Sequence, residues 1–162
     1  MPAGSTYTPI ATQTLGSATS TVTFSSIPST YTDLILVFNG SANTYVNTYV
    51  NINGNTSSLY SSTRLYGNGS TATSARYSSG TFAYVGDVHT TQSNATLHFM
   101  SYANTNTNKT FLSRDNAANG GVGAWVGLYR STSAISSILF GATSGATFNI
   151  GSTFTLYGIT AA

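Results

Sequence analysis

The 162-residue chain has no cysteine and no glutamate, only three prolines, and charged residues make up 5% of it. The missing cysteine excludes disulfides, thiolate metal sites and a cysteine nucleophile, and leaves the redox compartment unread. Without glutamate, the side-chain carboxylates reduce to Asp33, Asp87 and Asp115, set against Lys109 and four arginines. About a quarter of the residues in an ordinary soluble domain are charged. Arg64, Arg76, Lys109, Arg114 and Arg130 stand singly, so no basic cluster is available to neutralise a run of phosphates, and nucleic acid is not an expected partner. No apolar run approaches the roughly 20 residues that span a bilayer, so no membrane is expected. Met1 to Ser5 lacks the basic start and apolar block of a signal peptide, and the expectation is a chain used as synthesised.

What remains is hydroxyl, amide and aromatic chemistry. Ser, Thr and Asn fill about two fifths of the chain, and there are 11 tyrosines and one tryptophan. Hydrophobic residues reach 40% and the net charge is only +2. Disordered chains combine low hydrophobicity with high net charge, which does not describe this one. At this length a single domain, residues 1–162, can bury a core.

The main local signal is period-2 alternation in Thr-, Val-, Tyr- and Phe-rich runs bounded by Gly, Asn and Ser. In Tyr45–Asn53, Val46, Thr48, Val50 and Ile52 share one face, while Tyr45, Asn47, Tyr49 and Asn51 share the other. In Ala95–Ala103, Leu97 and Phe99 oppose His98, Met100 and Tyr102. Leu34–Phe38 is continuously apolar and reads as a strand near the centre of a sheet. Further strands are expected at Ile10–Leu15, Thr21–Phe24, Thr63–Tyr66, Thr81–Val85, Lys109–Ser113, Ala124–Arg130, Ile135–Phe140 and Thr153–Ile159. Asn53-Gly54-Asn55, Gly67-Asn68-Gly69 and Asn119-Gly120-Gly121 supply turns. Ser57–Gly80 reads as a long loop holding one or two weak strands, and Asn104–Asn108 as an exposed hairpin tip. No segment has a helical apolar repeat. About ten short strands with polar connections point to an all-β, antiparallel two-sheet sandwich of jelly-roll type.

Catalytic chemistry has little to work with. Each aspartate has a plain structural place: Asp33 before a strand, Asp87 after Gly86 in a turn, and Asp115 in a loop beside Arg114. His89 and His98 have no acidic cluster around them to form a metal site. There is no G-x-S-x-G elbow and no phosphate-binding glycine loop. The expectation is a non-enzyme with no metal and no cofactor. Five N-x-[ST] sequons, at Asn39, Asn55, Asn68, Asn94 and Asn108, are what so much Asn, Ser and Thr produces by chance. Tyr45 with Tyr49, and Trp125 with Tyr129, are the candidate exposed aromatic platforms for a glycan. Packing within sheets and between subunits is the competing use of the same rings.

Two stretches carry a resemblance. Thr6–Gly40, with its paired short strands, the Ser25–Pro28 turn (SSIP) and the strand YTDLILVF, resembles the N-terminal half of small virion proteins of tailed bacteriophages, notably phages of cyanobacteria and other aquatic bacteria. Ile135–Ile159, with ISSILF and the final GSTFTLYGI, resembles the end of the same group. Together these cover a little over a third of the chain. The resemblance implies a β-sandwich, often trimeric, fixed to a capsid or tail. The expectation that follows is a capsid decoration protein on the outer capsid surface, assembled in the host cytoplasm, binding the major capsid protein as a homotrimer. Tyr7 and Pro9 in an extended N-terminal segment, residues 1–9, and Asn106 in the hairpin tip are the candidate capsid contacts. The alternative is a tail module that recognises host surface glycans.

Overall fold

The computed structural model describes residues 6–118 and 120–160, and among these there is no helix. Twelve strands follow one another: β1 (Tyr7–Thr14), β2 (Thr21–Phe24), β3 (Asp33–Gly40), β4 (Val46–Ile52), β5 (Tyr60–Gly67), β6 (Ala72–Gly80), β7 (Ala83–Val88), β8 (Ser93–Phe99), β9 (Lys109–Ala117), β10 (Val122–Tyr129), β11 (Ile138–Ala142) and β12 (Thr153–Ile159). They form an eight-stranded sheet in the order β1-β12-β3-β8-β9-β10-β5-β6 and a four-stranded sheet in the order β2-β11-β4-β7. Every pairing is antiparallel.

The strand order identifies the architecture. The quartet β1-β12-β3-β8 lies over the quartet β2-β11-β4-β7, which is the double Greek key of a jelly roll. Two hairpins are inserted into it. Hairpin β5–β6 enters between β4 and β7, and β9–β10 enters between β8 and β11. Both extend the first quartet beyond β8 and carry it past β7, the edge of the smaller sheet. The insertions therefore cover an edge that would otherwise offer unpaired backbone groups.

Inside the sandwich, Phe38, Phe140, Phe148 and Phe154 form one aromatic cluster, with neighbouring ring centroids 5.0 to 5.7 Å apart. Alternation places them there: Leu34, Leu36 and Phe38 of β3 and Phe154 and Leu156 of β12 are fully buried, while the residues between them face outward. Below the inserted hairpins, Tyr60 stacks on Tyr129 with centroids 4.7 Å apart. The Tyr60 hydroxyl accepts from the Ile52 N–H and donates toward the Ile52 and Asn55 carbonyls. Burial pushes the Tyr60 hydroxyl up to about 12.

Several expectations change. Within the extended N-terminal segment, residues 7–9 belong to β1 and pair with β12, so they are part of the sheet; residues 1–5 lie outside the described residues. Strand β8 ends at Phe99, and Tyr102 lies beyond it, buried, with its hydroxyl donating to the Pro28 carbonyl. Ser57–Gly80 is mostly strand, holding β5 and the nine-residue β6. Asp87 and Asp115 lie within β7 and β9, both buried, and not in a turn and a loop. The Asn104–Asn108 connection is exposed and joins the β8–β9 hairpin as expected. Its carbonyls at Asn104 and Thr107, with that of Thr132, receive the buried Lys109 ammonium. Burial lowers the pKa of that ammonium.

Candidate functional site

The outward face of the eight-stranded sheet has no protein layer over it, and strand register lays its side chains out in rows. One row runs Thr96, Arg114, Ala124, Leu65 and Ser74 across β8, β9, β10, β5 and β6. The next runs Asn94, Asn116, Val122, Gly67 and Ala72. These rows, apart from Ser74, line a groove of about 910 Å³. A smaller recess of about 280 Å³ continues from it, bounded by Tyr7, Ile35, His98 and Leu112 and sharing Thr96 and Arg114.

The two long walls differ chemically. On the β8–β9 side are amides and hydroxyls, with Asn94 Nδ2 donating to Asn116 Oδ1 at 3.4 Å. On the β10–β5 side, Val122 is 61% and Leu65 64% exposed, with Ala124 between them. Arg114 stands where the walls and both recesses meet. Among the described residues its guanidinium has no hydrogen-bond or ion-pair partner. The carboxylate on this face, Asp33, is already engaged, accepting from the Ser101 N–H at 2.7 Å and lying 2.7 Å from His98 Nε2.

Beneath the groove, on the inner side of the same strands, lies a polar cluster built around two buried acids. Arg64 is held between the rings of Tyr66 and Trp125, its Cζ 5.4 and 5.3 Å from their centroids. Its Nη1 lies 3.6 Å from Asp87 Oδ2. Asp87 also accepts from the Tyr45 hydroxyl at 3.2 Å and from Asn47 Nδ2. Asp115 accepts from Trp125 Nε1 at 2.8 Å. Burial, and then the neighbouring Asp87 charge, push the Asp115 carboxyl from 3.8 up to about 6. Gly123 is opposite Asp115, and a Cβ there would overlap its carboxyl. The cluster joins β5, β9 and β10 to β4 and β7, tying the inserted hairpins to the smaller sheet. Asp87 and Asp115 are 3% and 5% exposed, so this pair of acids is shielded from any large substrate. No three metal-binding side chains group together among the described residues.

The sequence candidates scatter across the molecule. Trp125 and Tyr129 are each 2% exposed and cannot form an exposed platform; they face inward because β10 alternates with Val122, Ala124 and Val126 outward. Tyr45 is 51% exposed, but its ring packs on His89 and its hydroxyl is held by Asp87; burial and then Asp87 push that hydroxyl up to about 12. Tyr49 is half-buried against Phe82, over Gly141 of β11. Neither tyrosine lies on the groove. Tyr7 is exposed, packs edge-on to Tyr157 and borders the smaller recess. Pro9 is exposed in β1, and Asn106 is exposed in the 104–108 connection, and neither lines the groove. Sequence reasoning missed Arg114 as a site residue. The available signal was alternation through Arg114-Asp115-Asn116, which places Arg114 and Asp115 on opposite faces.

No protein-family model and no curated protein matches the chain. Among solved structures it is similar to the galectin LEC-6 of Caenorhabditis elegans, at 9% identity over 89% of this chain and 94% of that one, with a TM-score of 0.42. It is similar to a tetrameric galectin from the ball sponge Cinachyrella sp., at 12% identity over 86% and 99% of the two chains, with a TM-score of 0.32. The marine PL-14 alginate lyase of Aplysia kurodai follows at 8% identity over 82% and 70%, with a TM-score of 0.30. With TM-scores this low the fold assignment stands on the strand order alone, and these similarities say nothing about function.

Proposed function

We propose that this chain is a non-catalytic carbohydrate-recognition module, carried on a bacteriophage tail, that binds host surface glycans in the groove on its eight-stranded sheet. The observation that supports it is the two-walled groove itself. Amides and hydroxyls at Asn94, Thr96 and Asn116 match the donor and acceptor pattern of sugar hydroxyls. Aliphatic side chains at Leu65, Val122 and Ala124 suit the apolar C–H face of a pyranose ring. A pocket with mostly apolar walls and a few placed polar groups is the usual form of a small-ligand site. Jelly rolls serve as lectin domains and as viral shell domains, and the phage setting comes from the resemblance of the two chain ends. A glycan array probed with the labelled protein tests the proposal. Binding that is competed by free oligosaccharide and lost in Leu65→Asp is the expected result, and an array with no competable signal counts against it.

Capsid decoration is the second reading, and a different observation favours it. Leu65, Leu112, Val122 and Val126 are 42 to 64% exposed on the same face and surround Ala124, Leu65 pairing with Ala124 and Leu112 with Val126. A contiguous exposed apolar patch is characteristic of a protein-binding surface. In that reading the patch seats on the major capsid protein, as part of a homotrimer, and stabilises the shell by binding only its assembled form. Gold-labelled antibody on purified virions separates the two: label over capsid lattice positions favours decoration, and label confined to the tail favours the glycan module.

A further inference from the structure

We infer that the groove takes a carboxylated oligosaccharide, with Arg114 as the residue that reads the carboxylate. The inference rests on the glycan reading of the groove and adds the ligand's charge and length. Arg114 is exposed, has no partner among the described residues, and occupies the junction of the groove and its smaller continuation. The acid adjacent in sequence, Asp115, points to the opposite side of the sheet and is held by Trp125. The groove therefore carries one uncompensated positive group flanked by neutral donors and acceptors. A guanidinium presents a planar fork that pairs with a carboxylate through two parallel hydrogen bonds, which a neutral sugar cannot offer.

Length follows from the sheet. From β8 to β6 the groove crosses four strand spacings, about 19 Å at the usual interstrand distance. That suits a short oligosaccharide lying across the strands better than a single sugar. The hydroxyl and amide wall on β8–β9 and the aliphatic wall on β10–β5 then contact the two sides of the same chain, with a uronate carboxylate over Arg114.

Calorimetric titration at low salt with tetragalacturonate, tetramannuronate and their carboxyl-reduced neutral forms tests this. The uronates should bind at least about tenfold more tightly than the reduced sugars. Arg114→Ala should remove that preference, weakening uronate binding by about tenfold to a hundredfold. Arg114→Lys should restore it only in part. Arg76→Ala removes the same charge from the adjacent row of the same face; it should weaken uronate binding less than Arg114→Ala does, by an amount that vanishes as salt is raised, and should leave the reduced sugars unaffected. Unaltered thermal melting of each variant shows that the fold is intact. Equal affinity for charged and reduced sugars, unaffected by Arg114→Ala, overturns the carboxylate assignment while leaving glycan binding in place. A short poly-glutamate peptide binding as well as the uronates shows that charge alone is read, and also overturns it. No binding by any of the four sugars overturns the inference, and the glycan reading beneath it then stands or falls on the array alone.

Discussion

Replacing Asp115 by asparagine should change how stability depends on pH. Asp115 is buried beside Asp87, and its carboxyl is pushed from 3.8 up to about 6. Between these values the folded chain keeps the proton and the unfolded chain releases it. The native state is therefore favoured at low pH, and this contribution is lost as pH rises toward 6. A tenfold difference in proton affinity is worth about 1.4 kcal/mol, so a rise of this size makes the full loss about 3 kcal/mol. Asparagine is nearly isosteric, can accept from Trp125 Nε1, and cannot ionise. The variant should match the wild type near pH 4 and exceed it at pH 7 by up to about 3 kcal/mol, or about 6 to 12 °C in Tm for a domain of this size. Urea denaturation at half-unit pH steps, followed by circular dichroism and by fluorescence of the only tryptophan, Trp125, measures the difference directly. Stability curves for the two proteins that run parallel from pH 4 to 7 would show that Asp115 ionises normally and that burial does not hold its proton.

Lys109→Ala should lower stability by about 3 kcal/mol, because it opens a cavity and leaves three carbonyls without their donor; chemical denaturation reads the change. Lys109→Met, which fills the space but cannot donate, should fall between Ala and the wild type. Gly127→Ala should reduce the yield of soluble protein or lower Tm, since a Cβ there would enter the Phe111 ring across the β9–β10 pair; unchanged melting would show that the Phe111 ring moves aside without cost and that the close approach is not needed for stability. Tyr60→Phe should cost about 1 to 2 kcal/mol, because the Ile52 N–H loses its buried acceptor; the measurement is the shift in urea midpoint at constant m.

The architecture was legible where alternation was strong and one face was apolar. Thr21–Phe24 and Thr153–Ile159 stand where the pattern places them, and Val46, Thr48, Val50 and Ile52 do share the buried face of β4. Strand β6 was hard to read because it is a sheet edge whose residues are mostly exposed, so neither face imposes an apolar repeat. Asp87 and Asp115 were misplaced for a related reason. An acid beside glycine or asparagine looks like a turn locally, and only the tertiary arrangement supplies Arg64 and Trp125 as buried partners. The groove was least visible in the sequence. Its walls come from β5, β8, β9 and β10, which become neighbours only because two distant hairpins extend one sheet. Trp125 was drawn toward the surface by its chemistry, whereas the period of β10 sends it inward and leaves Val122, Ala124 and Val126 facing out.

That the open face of the eight-stranded sheet is the binding surface is the central claim. Amide chemical-shift mapping of the labelled protein during titration with an oligosaccharide identified on a glycan array tests it most directly. The perturbed amides should cluster around Asn94–Thr96, Arg114–Asn116, Val122–Ala124 and Leu65. Perturbation centred instead on Tyr45 and Tyr49, away from the groove, would contradict it.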